Sequence, residues 1–268
     1  MERTARVAST PTPEPLLAGD VAALLDGVPR QRGQVAAPVP PAPGAVLRPY
    51  LWRPRPWRLL PSPTGTPVTF AYTALLALTS LFASHASPGL VRAVYQDSST
   101  DVAHLLRTPV FVLLASALWV AGGLLSPYVL AFVLVVTALE RRIGGARAIL
   151  VFLAGHVLAT LATEVPVGLA VLAGHLPETS LHRLDYGISF GVAASTGALC
   201  GLLTPWLRWP LLALAGYSLV TDLIAFQDPM TNWGHLISLA IGTGLWPVVR
   251  RWYRERAQAP ADARAVAS

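Results

Sequence analysis

Charge is what this chain has least of: 13% of its residues are Asp, Glu, Lys or Arg, against about 25% in soluble domains. That excludes an ordinary water-soluble fold. Cysteine occurs once, as Cys200, which excludes an intramolecular disulfide and a thiolate metal cluster. Within the apolar run "TGALCGLL" it reads as a small packing residue. No sustained apolar run comes before about residue 68, too far in for a cleavable signal segment of about 15–30 residues. The first apolar helix is therefore expected to act as its own signal. Lysine is missing too, so the formal charge of +6 comes from arginines.

What is present is 53% hydrophobic residues, the composition of a polytopic membrane protein. The arginines cluster outside the apolar segments, as expected of loops beside an anionic inner leaflet. The lipid bilayer is the expected partner, and nucleic acid is not. High arginine and alanine point to a GC-rich bacterial source and so to a bacterial plasma membrane.

Residues 1–62 are rich in Pro, Ala and Arg without helical period, and read as a disordered cytoplasmic arm. Near its end Arg48, Arg53, Arg55 and Arg58 alternate with Tyr50, Trp52 and Trp57, a mixture suited to an interfacial anchor. The run "EPLLAGDVAALLDGV" is compatible with one amphipathic helix. Residues 63–254 form the membrane domain and 255–268 a cytoplasmic tail.

About 20 helical residues span the hydrocarbon core, and six segments qualify: about 68–85, 121–139, 147–165, 187–206, 209–226 and 233–250. The expected fold is all-α, a six-helix membrane bundle. A seventh apolar run, 108–120, is placed by charge. Six crossings from a cytoplasmic N-terminus leave "ERRIGGAR" (140–147), Arg208 and "RRWYRER" (250–256) inside, as the positive-inside rule requires. A crossing at 108–120 reverses that, so this run is expected to be re-entrant or interfacial, covered by other helices.

The fourth and sixth helices then run in the same direction, with Ser189 and His235 each about two residues in. Both helices carry small residues at four-residue spacing, Gly187, Gly191 and Ser195 on one and Gly234, Ser238 and Gly242 on the other, which permits close backbone approach. A serine hydroxyl is a poor nucleophile until a base takes its proton, and histidine serves near neutral pH. The start of a helix adds unpaired N–H groups and a dipole end for a developing oxyanion, and Gly187 lets a substrate backbone come near.

At these residues the chain resembles the rhomboid family of intramembrane serine proteases. "GHLISLAIGTG" with His235 matches the family's last helix, "GISF" (Gly187 to Phe190) matches its Gly-x-Ser-Gly in part, and "ERRIGG" (Glu140 to Gly145) matches the turn after its second helix. The 108–120 run resembles its partly inserted first loop. The resemblance covers residues 68–250 and implies that Ser189 is nucleophile and His235 general base of a dyad cutting transmembrane protein substrates near the outer surface. No cofactor and no metal is implied.

There are two departures. Phe190 stands where the family has glycine, and is expected to crowd the position where substrate enters. The family's second helix carries His-x-x-x-Asn, whose side chains assist the oxyanion, and residues 108–139 hold neither histidine nor asparagine. Asn232 or His104 from loops is a possible substitute; otherwise backbone donors act alone and activity is expected to be slow or absent. A different register, with Ser195 or Thr196 as nucleophile, puts that residue about 10 Å deeper than His235.

Asp222 and Glu164 lie near the outer ends of the fifth and third helices, where Asp222 is a candidate to orient His235. His156, with Thr160 and Glu164 one and two turns on, suits a helix-to-helix hydrogen bond. His175 and His182 read as solvated. Three functions stay open: a protease, an inactive relative that binds client membrane helices, and a transporter relaying protons through His156, Glu164 and Asp222. The last lacks the repeats expected of transporters.

Overall fold

The computed structural model describes residues 59–226 and 228–266. The arginine and tryptophan anchor and the "EPLLAGDVAALLDGV" helix lie outside the described residues. Every regular element among those described is helical. In chain order they are α1 (Pro67–His85), α2 (Pro88–Asp97), α3 (Val102–Arg107), α4 (Pro109–Ala115), α5 (Pro127–Ile143), α6 (Gly145–Leu172), α7 (Ser189–Cys200), α8 (Pro205–Ile224), α9 (Pro229–Gly244) and α10 (Trp246–Val266). Single 3-10 turns follow at Ser116–Leu118 and Glu178–His182.

Proline sets most of the starts. Pro67, Pro88, Pro109, Pro127, Pro205 and Pro229 each open a helix, a position where the missing N–H costs nothing and the fixed φ already suits the helix. The second helix thus begins at Pro127 rather than 121, because Gly122 and Gly123 ahead of it have φ of 81° and 71°. The fourth is shorter than expected, 12 residues from Ser189 to Cys200. The sixth starts at Pro229, where Asp228 accepts from the Thr231 amide at 3.2 Å, and a break at Leu245 separates it from α10.

Two helices, Pro67–His85 and Gly145–Leu172, have the length and apolarity to cross a membrane by composition. The 108–120 run folds as the seven-residue α4 and a 3-10 turn, far short of a crossing. Val110, Phe111 and Leu114 of α4 are exposed while Val112 is buried, as suits a helix lying at an interface.

Lipid tails are as apolar as leucine, so helices in a membrane associate by close packing and polar contacts rather than by hydrophobic driving force. The packing here is of that kind. α7 is central, with nine of its 12 residues buried, whereas none of the 20 residues of α8 is buried. At the crossing of α7 and α9, a Cβ on Gly242 would meet the backbone of Ala194, and one on Gly197 would lie 2.9 Å from the Thr243 nitrogen. Gly191 serves a different neighbour from the one expected, since its open side receives the Phe152 ring of α6. Beneath the site Tyr72, Phe132 and Phe152 pack edge to face with centroids 4.9–5.7 Å apart.

Polar clamps hold the end of the bundle where α5 and α7 finish, and where Leu139, Ile143, Ala198 and Leu199 share one apolar cluster. The carboxylate of Glu140, buried at the end of α5, accepts from the amides of Val68 and Thr69 at 3.1 and 2.7 Å and from the Thr69 hydroxyl. It caps α1 from another helix, which explains why an acid ends an apolar segment. Glu140→Ala is expected to cost about 1–2 kcal/mol by orphaning those donors; thermal unfolding in detergent unchanged within about 0.5 kcal/mol would count against the cap. At the end of α7, Arg208 donates to Cys200 O and Leu203 O, and Arg250 to Gly201 O. Cations there match the negative end of the helix dipole.

Candidate active site

Ser189 is the first residue of α7, and His235 lies in the second turn of α9. His235 is deeper in its helix than expected because α9 begins four residues earlier. Even so, both side chains line one cavity of about 320 Å³, together with Tyr128, Asp185, Asp228 and Thr231. The turn into α7 depends on Gly187, whose φ of 129° is costly for any residue with a Cβ. Its N–H donates to the Ser116 carbonyl at 3.0 Å. Gly187 therefore shapes the cavity wall but has no amide to offer an oxyanion. The first turn of α7 does have such amides, because its leading N–H groups lack intrahelical acceptors.

The His235 ring stacks on Tyr128, with centroids 5.5 Å apart and 22° between planes, and meets the edge of Phe190 at 5.2 Å. Neither of its ring nitrogens has a hydrogen-bond partner, so no bond joins it to Ser189. Phe190 does not crowd the cavity as expected. It is 3% exposed, sits against the open side of Gly234, and its carbonyl accepts a short hydrogen bond from Ser238. It thereby seats α7 on α9 and supports the imidazole from the side.

The other candidates are placed elsewhere. Asn232 donates its side-chain amide to the Asp222 carbonyl at 2.9 Å, which ties α9 to α8 and keeps it off the cavity wall. Asp222 is exposed and makes no hydrogen bond to His235. His104 pairs with Asp101 at 2.8 Å. Thr196 bonds back to Val192 O, and Ser195 is fully buried without a partner, so neither lines the cavity. His156 makes the interhelical bond expected of it, to the Ser116 hydroxyl at 3.0 Å and Leu113 O at 3.1 Å. His175 and His182 are exposed. Glu164 is bound to Arg183, so His156, Glu164 and Asp222 form no hydrogen-bonded relay.

Sequence reasoning missed Arg183, which organises the rim. Its guanidinium reaches Glu164 of α6 at 2.5 Å, Asp185 at 3.7 Å and Asp228 at 3.5 Å, and donates to the Thr231 hydroxyl. It ties the α6–α7 connection to the start of α9. A second missed feature is the buried polar run Ser98 to Asp101. The Thr100 amide donates to Asp185 O at 2.8 Å and the Asp185 amide to the Ser99 hydroxyl at 3.0 Å, so two irregular segments satisfy each other where water is scarce. Burial pushes the Asp185 carboxyl above the usual carboxylate range, against the opposing pull of Arg183.

The architecture is an all-helical bundle, and the comparison with known families agrees with that class. The model of the rhomboid-like protein family matches residues 64–255, and the chain belongs to that family. No curated protein and no solved structure matches it. Family and apolar helices together make it a membrane protein.

Proposed function

We propose that this rhomboid-like protein is an intramembrane serine protease, crossing the bilayer six times with both termini cytoplasmic and cutting transmembrane substrates near the outer surface. One observation carries this: Ser189 and His235, from different helices, face one cavity. In the proposed reaction the Ser189 hydroxyl attacks the scissile carbonyl while a free ring nitrogen of His235 takes its proton. The amides at the start of α7 face the developing charge, and the imidazolium returns the proton to the leaving amine. Water then hydrolyses the acyl-enzyme through the same base. An unmade Ser–His bond is compatible with this, because catalytic hydrogen bonds are often long before substrate binds.

An inactive relative that binds client helices is favoured by a different observation: His235 has no partner to orient it, and α5 offers neither His nor Asn toward the site. A fluorophosphonate probe on the detergent-solubilised protein decides between the two. Labelling is expected in the native chain and is expected to fall by roughly a thousandfold or more in Ser189→Ala and in His235→Ala. A native chain that melts cooperatively yet takes no label favours the helix binder.

A further inference from the structure

The cavity holding Ser189 and His235 has a wall charge that acyl transfer does not use. Asp185 and Asp228 both line it, and no Lys or Arg does. The nearest cation, Arg183, lies behind the wall and is shared among three carboxylates. Its closest bond goes to Glu164, with Asp228 at 3.5 Å and Asp185 at 3.7 Å. One guanidinium is thus divided among three acids, two of which line the cavity.

Each lining carboxylate also has an oxygen to spare. Asp185 uses Oδ2 for Thr100 and Arg183, and Asp228 uses Oδ1 for the Thr231 amide and Arg183; among the described residues their other oxygens have no hydrogen-bond partner. Asp185 is 8% exposed and has only a shared cation, Arg183 at 3.7 Å, as charge partner, while the Asp228 side chain is 55% exposed at the cavity mouth. Independently, His235 is 4% exposed and lines the cavity with both ring nitrogens unpartnered, a buried polar side chain at the same wall that points to a ligand there. Tyr128 and Tyr186 complete the lining, each with one ring face already stacked, on His235 and on Tyr95.

We infer that this cavity is a cation subsite, binding an ammonium or guanidinium group on a short apolar stem between Asp185 and Asp228. A volume of about 320 Å³ is at the small end of ligand pockets and suits one long side chain. For the proposed protease the ligand is a Lys or Arg side chain of the substrate beside the cut. That extension rests on the proteolytic reading, whereas the binding itself does not.

The test separates the two by measuring binding on the full chain carrying Ser189→Ala, so that no chemistry enters. Hexylguanidinium, hexanol and hexanoate are titrated by calorimetry in neutral detergent at low salt, with empty micelles subtracted. The cation is expected to bind at least about tenfold tighter than the alcohol, and the anion more weakly than either. Raising salt to about 0.5 M is expected to narrow the gap. Asp228→Asn, which keeps a capping side chain, and Asp185→Asn are each expected to weaken the cation about fivefold or more and leave hexanol unchanged. Equal binding of cation and alcohol to the Ser189→Ala chain, or a cation preference that survives both substitutions, overturns the subsite. Either result leaves the probe labelling of Ser189 standing, just as failed labelling leaves this binding intact.

Discussion

Arg183→Met is expected to destabilise the protein by about 3–5 kcal/mol, the cost of removing one partner from a buried ion pair. The Glu164 side chain is 0% exposed and its bond to Arg183 is 2.5 Å. Methionine fills the space of the arginine stem but leaves Glu164 buried without its cation. It also releases Asp185 and Asp228 from the charge they share, and with them the hold between the α6–α7 connection and α9. The loss is electrostatic at its root, so adding Glu164→Gln to Arg183→Met is expected to recover most of it. Unfolding followed by tryptophan fluorescence in detergent gives the values. A single-variant loss under 1 kcal/mol, or no recovery in the double variant, would mean that the network contributes little.

Gly242→Val is expected to cost about 3 kcal/mol or to prevent folding. A Cβ at Gly242 would sit 2.7 Å from the Ala194 carbonyl carbon and 2.9 Å from its Cα. Backbone has no rotamer by which to yield, so overpacking here must separate α7 from α9, and it also shifts Ser189 relative to His235. Gly244→Ala, two residues along the same helix, is the matched control: nothing lies within 4 Å of its Cβ position. There alanine is expected to be neutral or to stabilise by up to about 1 kcal/mol through better helix propensity. Similar melting temperatures for the two variants would remove the case for close α7–α9 contact.

The helices were legible because apolar runs longer than a soluble core needs are rare, and Ser189 and His235 stood out because each begins such a run. Their ends were less legible from hydropathy alone. "WVAGGLLSP" is apolar but for Ser126, yet Gly122 and Gly123 break it and Pro127 starts the helix. Pro205 and Pro229 mark the next starts in the same way, so reading proline before hydropathy would have placed all three. Only Asp185 is a local partner of Arg183; the others lie in α6 and at the start of α9, and ion pairs across such separations have no period. For the same reason "SSTD" reads as a solvated loop. It is buried where Arg183 and Asp185 supply partners for Ser99 and Thr100.

The shortness of α7 has a hydration consequence. Its 12 residues rise about 18 Å, while the hydrocarbon core of a bilayer is about 30 Å thick. A lipid-facing helix with that deficit would draw the membrane thin around it. α7 is instead walled in by α5, α6 and α9, so protein rather than lipid makes up the difference, and Ser189 at its start borders the cavity that Asp185, Asp228 and Thr231 line. A serine at the start of so short a central helix opens onto that polar cavity instead of being packed within the bundle.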